Sequence, residues 1–277
     1  MKAKSWSWWI KIAILVFVSS TSAVLSRKVS AQIVPDATLG RERSQVTPQG
    51  VRDLITGGAI RDTTLFHSFR EFNVNNGQQV YFAPANGITN IFTRVSGSNI
   101  SRIFGTLGVN GGANLFFMNP NGIIFGPNAR LDLRGSFTAT TARSVNFDKY
   151  TFSATNPTTP PLLKINVTPG LQYGEIAPNG QIRNEGNLSV GQDLNLIGGN
   201  LNLQGQLRAG ENLNVVGNTV TIRDNTTKPF IATAGSNLVL QGNQKLDIFV
   251  LNHPNSGLLT SIALTLICRE IFKLTAQ

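Results

Sequence analysis

The chain has 277 residues, 41% of them hydrophobic and only 14% charged, with 27 glycines and a single cysteine, Cys268. This apolar content supports a sizeable core, while sparse charge with many Gly and Asn favours short strands and tight corners over helices. One cysteine excludes an intrachain disulfide, and the formal charge of +10 does not signal nucleic-acid binding: Lys2, Lys4, Lys11, Arg27 and Lys28 lie in the first 31 residues, which hold no Asp or Glu, leaving +5 (10 − 5) for the rest. No basic run or aromatic-interleaved basic face remains, so no nucleic-acid partner is expected.

The first element is an address. Lys2 and Lys4 form a positive start, Trp6 to Val18 an apolar run whose only charge is Lys11, and Val29-Ser30-Ala31 places small residues where signal peptidase accepts them. Residues 1–31 are read as a signal peptide for the general secretory pathway, cut after Ala31, with Ala23 as a second candidate. The run is too short to span a bilayer. Trp6, Trp8 and Trp9 would leave with it.

Phe69-Arg70-Glu71-Phe72-Asn73-Val74 comes next, and the segment before it is expected to cap the first coil of the fold. Residues 94–142 read as strand, turn, strand, turn, strand. Asn119-Pro120-Asn121-Gly122 suits a tight turn between the apolar strands Leu115–Phe117 and Ile123–Phe125: Pro120 fixes φ at one corner, and Asn121 or Gly122 tolerates a positive φ at the next. Pro157, Pro160 and Pro161 mark a loop that projects from the fold or separates two stacks.

Residues 186–223 repeat with a gapless period of 19. Leu188 aligns with Leu207, Leu194 with Leu213 and Leu201 with Val220, and Gly falls over Gly three times. Each unit holds three short alternating segments, Leu188–Val190, Leu194–Leu196 and Leu201–Leu203, with Gly or Asn between them. Alternation at two residues marks strands, and three strands with three corners per repeat describe one coil of a parallel β-helix. The expected fold is all-β, a right-handed parallel β-helix with an N-terminal cap and small extra-helical β elements. The inward stack would be Leu188/Leu207, Leu194/Leu213 and Leu201/Val220, with Asn195 over Asn214 on an outer face. A loop is expected over Asp224–Phe230. From Leu258 the chain turns apolar and loses its Gly/Asn punctuation. Residues 260–277 are read as atypical: a truncated or frame-shifted end, or an improvised terminal cap.

The central block resembles the N-terminal secretion domain of two-partner-secretion exoproteins, the filamentous haemagglutinin family. The match rests on the Asn119-Pro120-Asn121-Gly122 turn, the Gly135-Ser136-Phe137 and Thr141-Ala142 ending, and the upstream Phe69–Val74 run. The start Gln32–Asp36 and the run Leu251–Leu258 further resemble the cyanobacterial branch. A second family motif, Asn-Pro-Asn-Leu, is not found; Phe82–Gly87 lies nearby without matching. The resemblance covers roughly residues 36–259; together with the address and the atypical end it gives expected domains of 1–31 (signal peptide), 32–259 (secretion domain) and 260–277 (tail). It also implies export through the periplasm to the surface or medium, recognition by an outer-membrane β-barrel with POTRA domains, and an adhesin-type role. A surface polysaccharide or a cell receptor would be the target.

Parallel β-helices also serve as polysaccharide lyases and hydrolases, whose sites need paired carboxylates at short range. The 14 acidic residues here are scattered, and Asp132, Asp193 and Asp224 lie singly near strand ends, where turn capping or solvation is expected. His67 reads as a satisfied polar residue near the cap and His253 as a neighbour of Pro254. Ser136 lacks the glycines of a nucleophile elbow, and Gly108–Gly112 has no Lys for phosphate and reads as a corner. No catalytic, cofactor or metal site is assigned, and the expectation is a non-enzyme.

Overall fold

A computed structural model describes residues 33–162, 172–251 and 257–276. The signal-peptide reading and His253 fall outside these residues. Within them the chain winds as a right-handed parallel β-helix with three faces. The first face holds Arg52–Gly57, Gln79–Phe82, Thr106–Val109, Arg130–Asp132, Asn187–Val190, Gln206–Ala209, Ile231–Ala234 and Gly257–Thr260, each parallel to the next. The second runs from Thr64–Phe72 through Asn90–Val95, Asn114–Met118 and Phe137–Thr140. It continues with the leading halves of Leu194–Leu203, Leu213–Arg223 and Asn237–Val250 and ends at Ala263–Cys268. The third holds Ser101–Ile103, Ile123–Phe125, Gln181–Asn184, the trailing halves of those three long strands, and Ile271–Ala276. One pass through all three faces is a rung, and the described residues make eight. The first rung reaches the third face only through Val74, bridged to Ile103.

The strand count per repeat differs from the sequence reading. The second and third segments are not separate: Leu194–Leu203 is one strand that bends at Gly198-Gly199, and Leu213–Arg223 follows it. The corner turns without breaking the ladder, because Gly198 pairs with Gly217 in register. The final stretch also joins the helix. Ala263–Cys268 and Ile271–Ala276 pair in parallel with Asn237–Val250, so residues 257–276 form one more rung.

Inside, the registers stack like on like. Leu188 lies beside Leu207, Leu194 beside Leu213, and Leu201 beside Val220, all at most 1% exposed. Each such side chain contributes roughly 1.5–3 kcal/mol by leaving water. In the first rungs the same space is filled by Phe69, Phe72, Phe82 and Phe117. Phe72 sits edge-on to Phe117 at 4.9 Å and to Phe69 at 5.2 Å.

Two additions depart from the coil. Ile33–Pro35 and Ala59–Arg61 pair antiparallel with Thr64–Phe72, and Ser44–Gln49 pairs antiparallel with Arg52–Gly57. These strands seal the first rung's edge, which would otherwise offer unpaired backbone groups to another chain. The other addition leaves the fourth rung between Thr140 and Gln181. It is a three-stranded antiparallel sheet of Ser144–Phe147, Tyr150–Ser153 and Gln172–Tyr173. It covers an outward aromatic row on the second face. Phe92 stacks on Phe116 at 4.3 Å and on Phe66 at 5.7 Å, and Phe147 and Phe152 close over them.

Candidate functional site

The Asn119–Gly122 turn is the corner between the second and third faces of the third rung. The Gly122 N–H donates to the Asn119 carbonyl at 3.1 Å, and the Asn121 N–H donates to Asn119 Oδ1 at 3.0 Å. Gly122 has φ +126° whereas Asn121 keeps an ordinary negative φ, so of the two candidates it is Gly122 that takes the unusual conformation. Asn119 is fully buried. Its amide nitrogen donates to the Asn99 carbonyl and to Ser101 Oγ, both at 3.0 Å, pinning the corner to the rung before it. Its backbone N–H donates to the Thr140 carbonyl of the rung after. Asn121 is exposed, with its amide on the Gly97 carbonyl at 2.7 Å, and Pro120 is half-buried. The short side-chain amide at position 119 thus closes its own turn through Oδ1 and ties it to the preceding rung through Nδ2, which explains why the turn needs Asn rather than any polar residue.

A second polar assembly joins the cap to the early rungs. Arg94, fully buried on the outward side of the second face, donates from Nε to Ser68 Oγ at 2.8 Å. Its Nη2 reaches Thr38 Oγ1 at 2.7 Å and the Thr158 carbonyl at 3.0 Å, and its Nη1 the Ser153 carbonyl at 3.0 Å. Its guanidinium lies 4.5 Å from the centre of the Phe152 ring. Asp36 accepts from Thr38, Ser68 and Ser96. Burial pushes that carboxyl up, but the hydrogen bonds outweigh it and hold it below the usual range. Nearby, Arg61 pairs with Glu42 at 2.7 Å and donates to the carbonyls of Pro160 and Pro161. The proline loop therefore packs back onto the cap rather than separating two stacks. The sequence reading missed Arg94, Asp36 and Arg61. A lone Arg between Phe92 and Val95 was the available signal.

His67 differs from its expectation as a satisfied residue. It points into the core between Phe69 and Phe82, and Ser44 Oγ sits 3.0 Å from Nδ1, but Nε2 is buried with no partner. Burial pushes the imidazole down to about 3. The carboxylates have structural roles. Asp132 accepts from Tyr81 Oη at 2.6 Å, across Gly108, where a Cβ would fall 2.4 Å from the Tyr81 ring. Asp193 accepts from the Asn212 backbone and side chain. Asp224 accepts from the N–H groups of Phe230 and Leu251 and so closes the loop after Arg223. Ser136 Oγ accepts from the Asp193 N–H. No cluster of three His, Cys, Asp or Glu fit for a metal occurs among the described residues. A shallow groove of about 240 Å³ lies between Glu185, Gln206 and the Thr227-Lys228 loop, with Glu185 and Lys228 as its titratable lining.

Along the corner into the second face runs a polar ladder. Asn114 donates to Asn90 at 3.0 Å and accepts from the Ser136 N–H at 2.8 Å; Asp193, Asn212 and Asn237 continue it, the side chains linking at 2.9 Å. Beside it Asn214 donates to Asn195 at 2.8 Å, and Asn195 to Thr138 at 3.1 Å.

Among solved structures the chain is similar to the HMW1 secretion domain from Haemophilus influenzae, at 18% identity and TM-score 0.46, covering 86% of this chain and 73% of that one. It is also similar to a filamentous hemagglutinin secretion domain, at 15% identity and TM-score 0.46, covering 88% and 99%. Comparison with curated proteins gives no match. The model of the TPS (two-partner secretion) secretion domain matches residues 31–263, and with most of its length so matched the chain belongs to the TPS secretion domain family.

Proposed function

We propose that this domain is the export signal of a two-partner-secreted exoprotein and is read by its outer-membrane transporter before it folds. The chain crosses the inner membrane on its signal peptide, traverses the periplasm unfolded and is recognised there by the transporter's periplasmic domains. It then winds into the β-helix outside, where it supports an adhesin-type surface or secreted protein. The observation that carries this reading is the burial of Asn119. In the folded helix its amide is occupied by Asn99 and Ser101, so a transporter can contact it only on an unfolded chain. Rung-by-rung winding suits such a route, because each strand finds the finished edge of the previous rung.

The test has two arms. Co-expression with the outer-membrane barrel should place the chain at the surface or in the medium, and omitting the barrel should trap it in the periplasm; equal export in both cases removes the reading. Separately, chain held unfolded in urea and diluted onto the barrel's periplasmic domains should be captured. Refolded chain should not, and Asn119→Ala should weaken capture of the unfolded form.

A further inference from the structure

We propose that Arg94 is a completion latch: the N-terminal cap locks only when residues 153–161 have folded back onto it, some sixty residues after the rung that carries the arginine. Its role in export timing rests on the secretion reading above; the latch itself is a property of the folded chain.

Arg94 has acceptors from three separate parts of the chain. Thr38 belongs to the cap, Ser68 to the first rung, and the carbonyls of Ser153 and Thr158 to the excursion from the fourth rung. With the cap and first two rungs in place but residues 153–158 still absent, Nη1 and one Nη2 direction have water as their acceptor, and the excursion must displace that water as it closes. A guanidinium cannot be dehydrated there without acceptors, since a buried charge is tolerated only when its donors are met. Arg61 repeats the logic. It bonds Glu42 and the Ile60 carbonyl within the cap, but its Nε and one direction of Nη2 need the carbonyls of Pro161 and Pro160. Thr159 adds a bond to the Thr38 carbonyl at 2.8 Å. All three contacts fall in the same short segment: two hold the cap residues Arg61 and Thr38, and the third holds Arg94, which itself bonds Thr38. The aromatic row adds a matching apolar requirement, because Phe66 and Phe92 are covered by Phe147 and Phe152 of that same excursion. Until it arrives, the strands that protect the first edge remain releasable.

Hydrogen exchange on the full chain tests this without any transporter, so its outcome is independent of the secretion reading. In the Arg94→Lys variant, which keeps the charge but loses the fork, amides of 33–61 and of 143–158 should exchange faster together, by about ten- to a hundredfold, as losing charge-assisted hydrogen bonds implies. Those of 194–223 should stay as in the wild type. Unchanged exchange in the cap, a rise in the cap without the excursion, or a uniform rise everywhere overturns the latch. Should the variant not fold, pulse-labelled refolding of the wild type decides: residues 33–49 must gain protection in the same phase as 144–153. Protection of the cap in an earlier phase overturns it.

Discussion

The first four rungs and the next three build the same coil by different means. From Leu188 to Leu240 the interior is aliphatic apart from Phe230, and the outer row of the second face is Asn195 and Asn214, linked through their amides, and then Val239. From Leu54 to Phe137 the interior is phenylalanine-rich, and the equivalent outer row is Phe66, Phe92 and Phe116, hidden under an antiparallel sheet. The register makes the exchange explicit: Phe116 pairs with Thr138 and Thr138 with Asn195, so the row turns polar at the rung from which the covering sheet departs. A β-helix face is apolar on both sides where it is covered and amphipathic where it meets solvent.

The largest expected effect lies in the aliphatic column. Leu201→Asp would put a charge between Ile182 and Val220, with no partner, and should cost about 5 kcal/mol. Urea melts should show the loss, and a change below about 1 kcal/mol would mean that Leu201 does not face inward. In the aromatic half Phe117→Ala should cost about 4 kcal/mol, because its ring is packed against Phe72 and a cavity would remain.

Acid should separate the halves. His67 is neutral when folded, with its imidazole pushed down to about 3 by burial, whereas the unfolded chain takes up a proton below about 6.5. The unfolded state then binds more protons, so stability falls as pH drops from about 6.5 towards 3, by about 1.4 kcal/mol per unit. Asp53 works in the opposite sense: burial pushes its carboxyl up, so its protonation returns stability as the pH falls. The C-terminal counterpart, Asp247, is held down to about 2 by hydrogen bonds from Arg223 and Lys245, against the effect of burial, and its contribution is lost only between 3.8 and about 2. At about pH 4.5 amide exchange should therefore rise around Thr64–Phe72 while Leu213–Arg223 stays protected, and His67→Asn should abolish the difference. The smallest effect belongs to the surface ladder: Asn214→Ala should cost about 1 kcal/mol, and Asn195→Ser less.

The aliphatic half was legible because its repeat is gapless; nineteen residues per turn put Leu194 under Leu213 with nothing to interrupt the register. The aromatic half was legible only through the Asn119–Gly122 turn and its resemblance to a family. Its rungs vary in length, so no period aligns Phe72 with Phe117. The doublets Leu65-Phe66, Ile91-Phe92 and Leu115-Phe116 did carry a signal, apolar residues on both faces, which marks a covered strand. Of the Arg94 assembly only the arginine itself, lone in an apolar strand, was legible. Its acceptors are mostly hydroxyls and backbone carbonyls, which any sequence supplies, and only the fold brings Thr38, Ser68 and Thr158 to one guanidinium. The final rung was missed for a related reason: without Gly and Asn at its corners, Ala263–Ala276 does not look like a coil, although its strands keep the parallel register.

That final rung gives the solenoid a polarity. One end is closed by strands running against the helix, while the other displays Leu264, Leu266, Phe272 and Leu274 on strands whose outer edge meets no other described strand. Such a body resembles a crystal seed: among the described residues its last rung is the facet on which a further strand continues the parallel register. Concentrated preparations should accordingly associate through that facet, and charges grafted onto it should keep the molecules apart.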